Sequence, residues 1–110
     1  MKKLFFTLAI LAIIPMAMYA HPAKKVNLSY KNGKLIIEVV HPVSNAENHF
    51  IDQVVVNVDG KDVKTITLTK QTSKESAYME LSIPEIKKGS VVVVKTNCNK
   101  MGKKSAKLKL

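Results

Sequence analysis

Residues 26–41 read VNLSYKNGKLIIEVVH, and this stretch decides the fold class. Val26, Leu28 and Tyr30 alternate with polar neighbours, the period of a strand with one buried face. Asn32-Gly33 follows; both residues tolerate positive φ, so the chain can reverse in a two-residue hairpin. Residues 35–41 return as LIIEVVH, rich in β-branched side chains whose restricted χ1 suits an extended backbone.

The same punctuation recurs outward from there. Residues 42–48 are polar and break the pattern, and residues 50–58 form a third strand. Asp59-Gly60 turns it into a fourth at 63–69. After a loop at 71–74, residues 77–83 place Ala77, Met79, Leu81 and Ile83 on one face of a fifth strand. Residues 84–89 connect to a sixth at 90–96, and Ala106, Leu108 and Leu110 mark a short seventh. Short strands at this spacing predict a sandwich or barrel. Seven of them, in antiparallel order, predict an all-β, immunoglobulin-like sandwich. Beyond residue 20 no segment sustains a helical period, and there is no repeat or internal linker.

The first 20 residues have a different character. Met1-Lys2-Lys3 precedes an apolar run of 11 residues at 4–14, and a small residue, Ala20, stands at the expected boundary. This is the plan of a secretory signal peptide cut after Ala20. A membrane span is the competing reading, but residues 4–20 number only 17 and Pro15 interrupts them. The expected mature domain is 21–110, exported to the periplasm and without a membrane attachment after cleavage. Its 90 residues allow one modest core.

The 110-residue chain has 18 lysines, no arginine, 8 acidic residues and a net charge of +10. Without Lys2 and Lys3, 16 lysines face 8 acids, and the charge is +8. Nucleic-acid binding normally uses arginine forks or aromatic platforms, and the chain has no such clusters. The lysines read as a solvated face that favours small anions. No serine motif, paired acidic cluster or glycine-rich phosphate loop points to a hydrolase or nucleotide enzyme.

The residues with chemistry are few. His41 ends the second predicted strand and His49 opens the third, so the loop HPVSNAENH can return both imidazoles to one end of the fold. Pro42 stiffens the exit from the strand. Cys98, the only cysteine, lies just past the sixth predicted strand in TNCNKMG, where Asn97, Asn99 and Gly102 favour a turn. His21 is the first residue of the expected mature chain. Imidazoles and a thiolate together form a credible shell for iron, copper or zinc. The plainer alternatives are surface histidines and a cysteine that is buried packing or bonded to a second copy in a homo-oligomer.

HPVSNAENHFI resembles the signature of the superoxide reductases, the desulfoferrodoxin and neelaredoxin family: a His-Pro dipeptide, a short polar loop, and a second histidine with Ile soon after. CNKMG is similar to that family's C-terminal ligand motif, Cys-Asn-x-His-Gly. The family's further histidine lies about twenty residues before the His-Pro, and His21 stands 20 before His41. The resemblance spans essentially the whole mature chain and implies a seven-stranded immunoglobulin-like domain holding a mononuclear non-haem iron. It implies His21, His41 and His49 as equatorial ligands and Cys98 as the axial thiolate. It also implies superoxide as the small-anion substrate, reduced to hydrogen peroxide with an electron from an unidentified donor.

The chain departs from the family at three places. Met101 stands where the fourth histidine is expected, the His41–His49 loop is about two residues longer, and Ala20 replaces a lysine. Met101 as a ligand would favour copper, since a thioether is a soft donor. A copper-binding or electron-transfer protein, and a non-catalytic module with a degenerate site, are therefore the competing readings.

Overall fold

The computed structural model describes residues 22–110; the expected signal segment 1–20 and His21 lie outside the described residues. Seven strands form among the described residues: β1 (Lys25–Lys31), β2 (Lys34–Val40), β3 (Ile51–Val58), β4 (Lys61–Thr67), β5 (Ser76–Leu81), β6 (Val91–Cys98) and β7 (Lys103–Lys109). No helix occurs among the described residues. All pairings are antiparallel, in one sheet of order β1-β2-β5 and another of order β4-β3-β6-β7.

Alternation along the strands supplies the core. Leu35, Ile37 and Val39 of β2 point inward, as do Val54, Val56 and Val58 of β3 and Val92 and Val94 of β6. These residues of the two sheets share one buried cluster, which makes the arrangement a β-sandwich. Leu35, Ile37, Val39, Ile51, Val54, Val56, Val92 and Val94 have no accessible surface. Each such side chain contributes about 1.5–3 kcal/mol by leaving water.

Two hairpins close as the dipeptides predict. Asn32 and Gly33 have φ of 54° and 76°, and Asp59 and Gly60 have 52° and 91°. Paired positive φ matches the right-handed twist of the flanking strands. Pairing resumes at once after each turn, with Lys31 opposite Lys34 and Val58 opposite Lys61. For that reason β4 starts two residues before its predicted position, in the polar stretch Lys61-Asp62.

Other boundaries differ from the sequence reading as well: β4 ends at Thr67 instead of 69 and β5 at Leu81 instead of 83. β6 runs on to Cys98, which pairs with Ile51, so the cysteine is the last residue of the strand rather than part of the loop after it. β7 begins at Lys103 instead of 106. Its lysines conceal the alternation, yet Asn97 pairs with Lys103 and Thr96 with Lys104. Lysine on an edge strand also discourages pairing with another chain.

The register puts the connections at two ends. Turns 32–33 and 59–60 and segment 82–90 lie at one end; segments 41–50, 68–75 and 99–102 gather at the other.

Candidate metal centre

His41 follows β2 directly. Its N–H donates to the carbonyl of Glu75 at 2.9 Å, and the N–H of Val43 donates to Lys74 at 2.8 Å. The β2–β5 pairing is thereby prolonged past the strand ends, and the histidine is held in a fixed place. Its side chain is buried, at 3 % exposure.

The chain then reverses through a turn built on Asn45. The Asn45 side-chain oxygen accepts from the N–H of Glu47 at 2.9 Å, and its carbonyl accepts from the N–H of His49 at 3.0 Å. Side-chain bonding of this kind gives Asn its turn preference. The loop is then fastened to the β6–β7 turn by one residue, Asn99. Asn99 Oδ1 accepts from the N–H of Phe50 at 2.9 Å, its N–H donates to the carbonyl of Phe50 at 2.9 Å, and its Nδ2 donates to the carbonyl of Asn48 at 3.0 Å. These bonds fall on either side of His49.

Cys98 is brought in from the opposite direction. It is 3 % exposed, and its N–H donates to the carbonyl of Gly102 at 2.9 Å. Gly102 has φ of 111°, a conformation that L side chains rarely adopt, so glycine suits the position. Facing Cys98, β3 has an irregularity between Ile51 and Gln53, and both Ile51 and Val54 are buried. A bulge shifts the alternation by one residue and re-aims the strand. Next to it, Asn97 Nδ2 donates to Asp52 Oδ1 at 2.8 Å.

The result is a convergence of three donors. Ligand atoms of His41, His49 and Cys98 all lie within 4.8 Å of one another. The imidazole rings meet edge to face, with centroids 4.9 Å apart and planes at 87°. Nε2 of His49 is withdrawn from solvent. Bonds of about 2.0–2.3 Å put two ligands of one ion roughly 3–4.4 Å apart, the upper end only when they lie opposite each other, so the side chains must close by up to about 1.5 Å around an ion. This group could hold a metal ion. Two imidazoles and a thiolate suit a borderline or soft transition metal and not a hard cation such as calcium.

Of the residues expected from sequence, the fold brings together His41, His49 and Cys98. His21 lies outside the described residues. Met101 sits in the turn after Cys98 and is 59 % exposed. Gln71 and Asn99 were not predicted to act at the site. Gln71 is only 4 % exposed and hydrogen-bonds Nδ1 of His41 through Oε1. A glutamine in a polar loop carries no sequence signal for such a role; Asn99 had one, as the second residue of CNKMG.

A shallow groove of about 280 Å³ lies elsewhere, on the outer face of the four-stranded sheet, lined by Gln53, Lys95, Asn97 and Lys103 among others. Asn97 points outward there while Cys98 points into the core. The buried donor cluster takes no part in lining that groove.

The chain matches no protein-family model and no curated protein. The superoxide reductase likeness rests on the motifs in the chain itself.

Proposed function

We propose that this chain is an exported protein that binds one redox-active metal ion through His41, His49 and Cys98, with iron as the metal and superoxide as the substrate. The observation that carries the proposal is the meeting of two imidazoles and a thiol within 4.8 Å, from segments up to 57 residues apart in sequence. Chance burial of packing residues offers no reason for these donor types to meet. In this reading the three-on-four sandwich is an immunoglobulin-like one, with the site among its end loops, where binding groups commonly collect.

Iron held there would supply a one-electron couple. The thiolate of Cys98 would push electron density toward it, and burial would set its potential. Superoxide takes up one electron and two protons to become hydrogen peroxide, and an external one-electron donor would restore the reduced site. The excess of 16 lysines over 8 acids in residues 21–110 would attract the anion. His21 would complete the shell at the new N-terminus after cleavage following Ala20.

Copper is the second reading, and the position of Met101 favours it. A thioether three residues after the thiol, 59 % exposed in the same turn, is free to swing toward a soft ion. In that case the protein is a copper binder or electron carrier.

Metal content of protein purified from the exported fraction separates these readings. Iron at one per chain, with superoxide reduction, supports the first, and copper at one per chain supports the second. His41→Ala and Cys98→Ser should each reduce the stoichiometry; unchanged content in both would remove the site. Met101→His should raise iron retention and superoxide reduction if position 101 approaches the metal, because imidazole suits iron better than a thioether does. Equal iron content and equal rates would show that position 101 is not a ligand position.

A further inference from the structure

Gln71 lies between β4 and β5, thirty residues from His41 in sequence, with its carboxamide buried against the metal site. Every part of that group is engaged. Nε2 donates to the carbonyl of His41 at 3.0 Å and to the carbonyl of Ser73 at 3.0 Å. Oε1 accepts from the N–H of Ile51 at 3.1 Å and meets Nδ1 of His41. The backbone N–H of Gln71 donates to Ala46 at 3.0 Å. One residue thus joins the His41 strand exit, the loop that carries His49 and the first residue of β3.

These partners decide which way the amide faces. An amide nitrogen only donates and an amide oxygen only accepts. Two carbonyls surround one side of the Gln71 carboxamide and a backbone N–H faces the other, so a flipped amide would leave donor against donor and acceptor against acceptor. With the orientation fixed, Oε1 can only accept from the imidazole. The proton of neutral His41 must then sit on Nδ1, and the metal-binding lone pair must sit on Nε2.

We propose that Gln71 is the positioning residue of the metal centre: it holds His41 as the Nδ1–H tautomer and commits the ring to binding through Nε2. A partner on the second ring nitrogen sets tautomer and ring direction in metal-ligating histidines generally. Here the partner is a neutral amide, anchored in turn by two backbone carbonyls and one N–H. The ring is therefore aimed before any ion arrives. The ligand role rests on the metal-binding reading above, whereas the tautomer belongs to the metal-free protein and is measured without it.

The test is nitrogen-15 NMR of the histidine side chains in the metal-free protein, at a pH where the rings are neutral. The expected result for His41 is a protonated Nδ1 and an unprotonated Nε2. Gln71→Leu should release the preference for Nδ1–H and lower affinity for cobalt(II), used as the probe ion, by about 10–100-fold. Gln71→Glu keeps an acceptor at Nδ1 and should retain the tautomer, at a cost in stability because its second oxygen faces the carbonyls of His41 and Ser73. A protonated Nε2 in the wild type would overturn the proposal. So would a folded Gln71→Leu protein with unchanged tautomer and affinity. Should either variant fail to fold, the wild-type spectrum still decides. A wild-type protein with the expected tautomer but no affinity for cobalt would remove the metal reading and leave the tautomer assignment standing.

Discussion

At one end of the sandwich, Asn32-Gly33 and Asp59-Gly60 each reverse the chain with two residues. At the other, segments 41–50, 68–75 and 99–102 are held together by side chains that reach across 30, 49 and 51 residues of sequence. The two hairpins at the first end are specified by backbone conformation: four residues with positive φ, two of them glycine. The site end is specified by amide side chains, chiefly Gln71 and Asn99. A turn of the first kind forms from local interactions alone. The second kind exists only once both sheets are assembled, so its chemistry depends on tertiary structure. Substitutions at the two ends should accordingly separate metal binding from stability.

The largest effect should come from His41→Ala. It removes a buried donor, and the loss of metal affinity should exceed the roughly 10–100-fold typical of losing a partner that only orients a ligand. Competition with a chelator measures it, and retention of strand signal in circular dichroism separates it from unfolding. An affinity within a few-fold of wild type would erase the distinction between the ends.

Asn99→Ala should come next. It removes two side-chain hydrogen bonds that bracket His49, at Phe50 and Asn48. The groups left behind are near the surface and can bond water, so the stability cost should be only about 1 kcal/mol. The affinity loss should be about tenfold, because His49 would be less firmly placed. Urea unfolding and metal titration of the same variant compare the two. A stability loss with no change in affinity would make Asn99 merely a loop fastener.

Gly60→Ala tests the hairpin end. An added Cβ meets nothing within 4 Å, yet φ is +91°. The cost is therefore backbone strain of about 1–2 kcal/mol. Metal affinity should not change, and urea unfolding with metal titration checks both halves of that expectation.

The smallest effect is expected away from both ends. Tyr78, exposed on β5, has its phenol pKa raised above the usual value, first by its hydrogen bond to the Glu80 carboxylate at 2.6 Å. Glu80→Gln should lower it again, as read by ultraviolet titration, with no change in metal binding.

The same contrast explains what was legible in the sequence. Asn32-Gly33 and Asp59-Gly60 announce themselves because only a few residue types accept positive φ. Alternation in residues 26–30 marks a buried face and located β1, whereas runs of β-branched residues located β2 and β6. β7 was found only from Ala106 onward, because Lys103 and Lys104 take part in pairing with nothing apolar to mark them. His41, His49 and Cys98 were visible as candidates because their side chains carry metal chemistry. Gln71 was not, since a glutamine has the same appearance in a solvated loop as in a buried amide cradle. The extension of β6 to Cys98 was also hidden, because Asn97 resembles a turn residue while its side chain in fact bonds Asp52.

His41, His49 and Cys98 are proposed to bind one ion together. Cobalt(II) titration of the metal-free protein, followed by absorption spectroscopy, tests it most directly, because a thiolate bound to cobalt gives a charge-transfer band that imidazole alone does not. Binding should saturate at one cobalt per chain with that band present, the band should be lost in Cys98→Ser, and binding should be much weaker in His41→Ala and His49→Ala. A titration with no thiolate band, or one identical in wild type and Cys98→Ser, would contradict it.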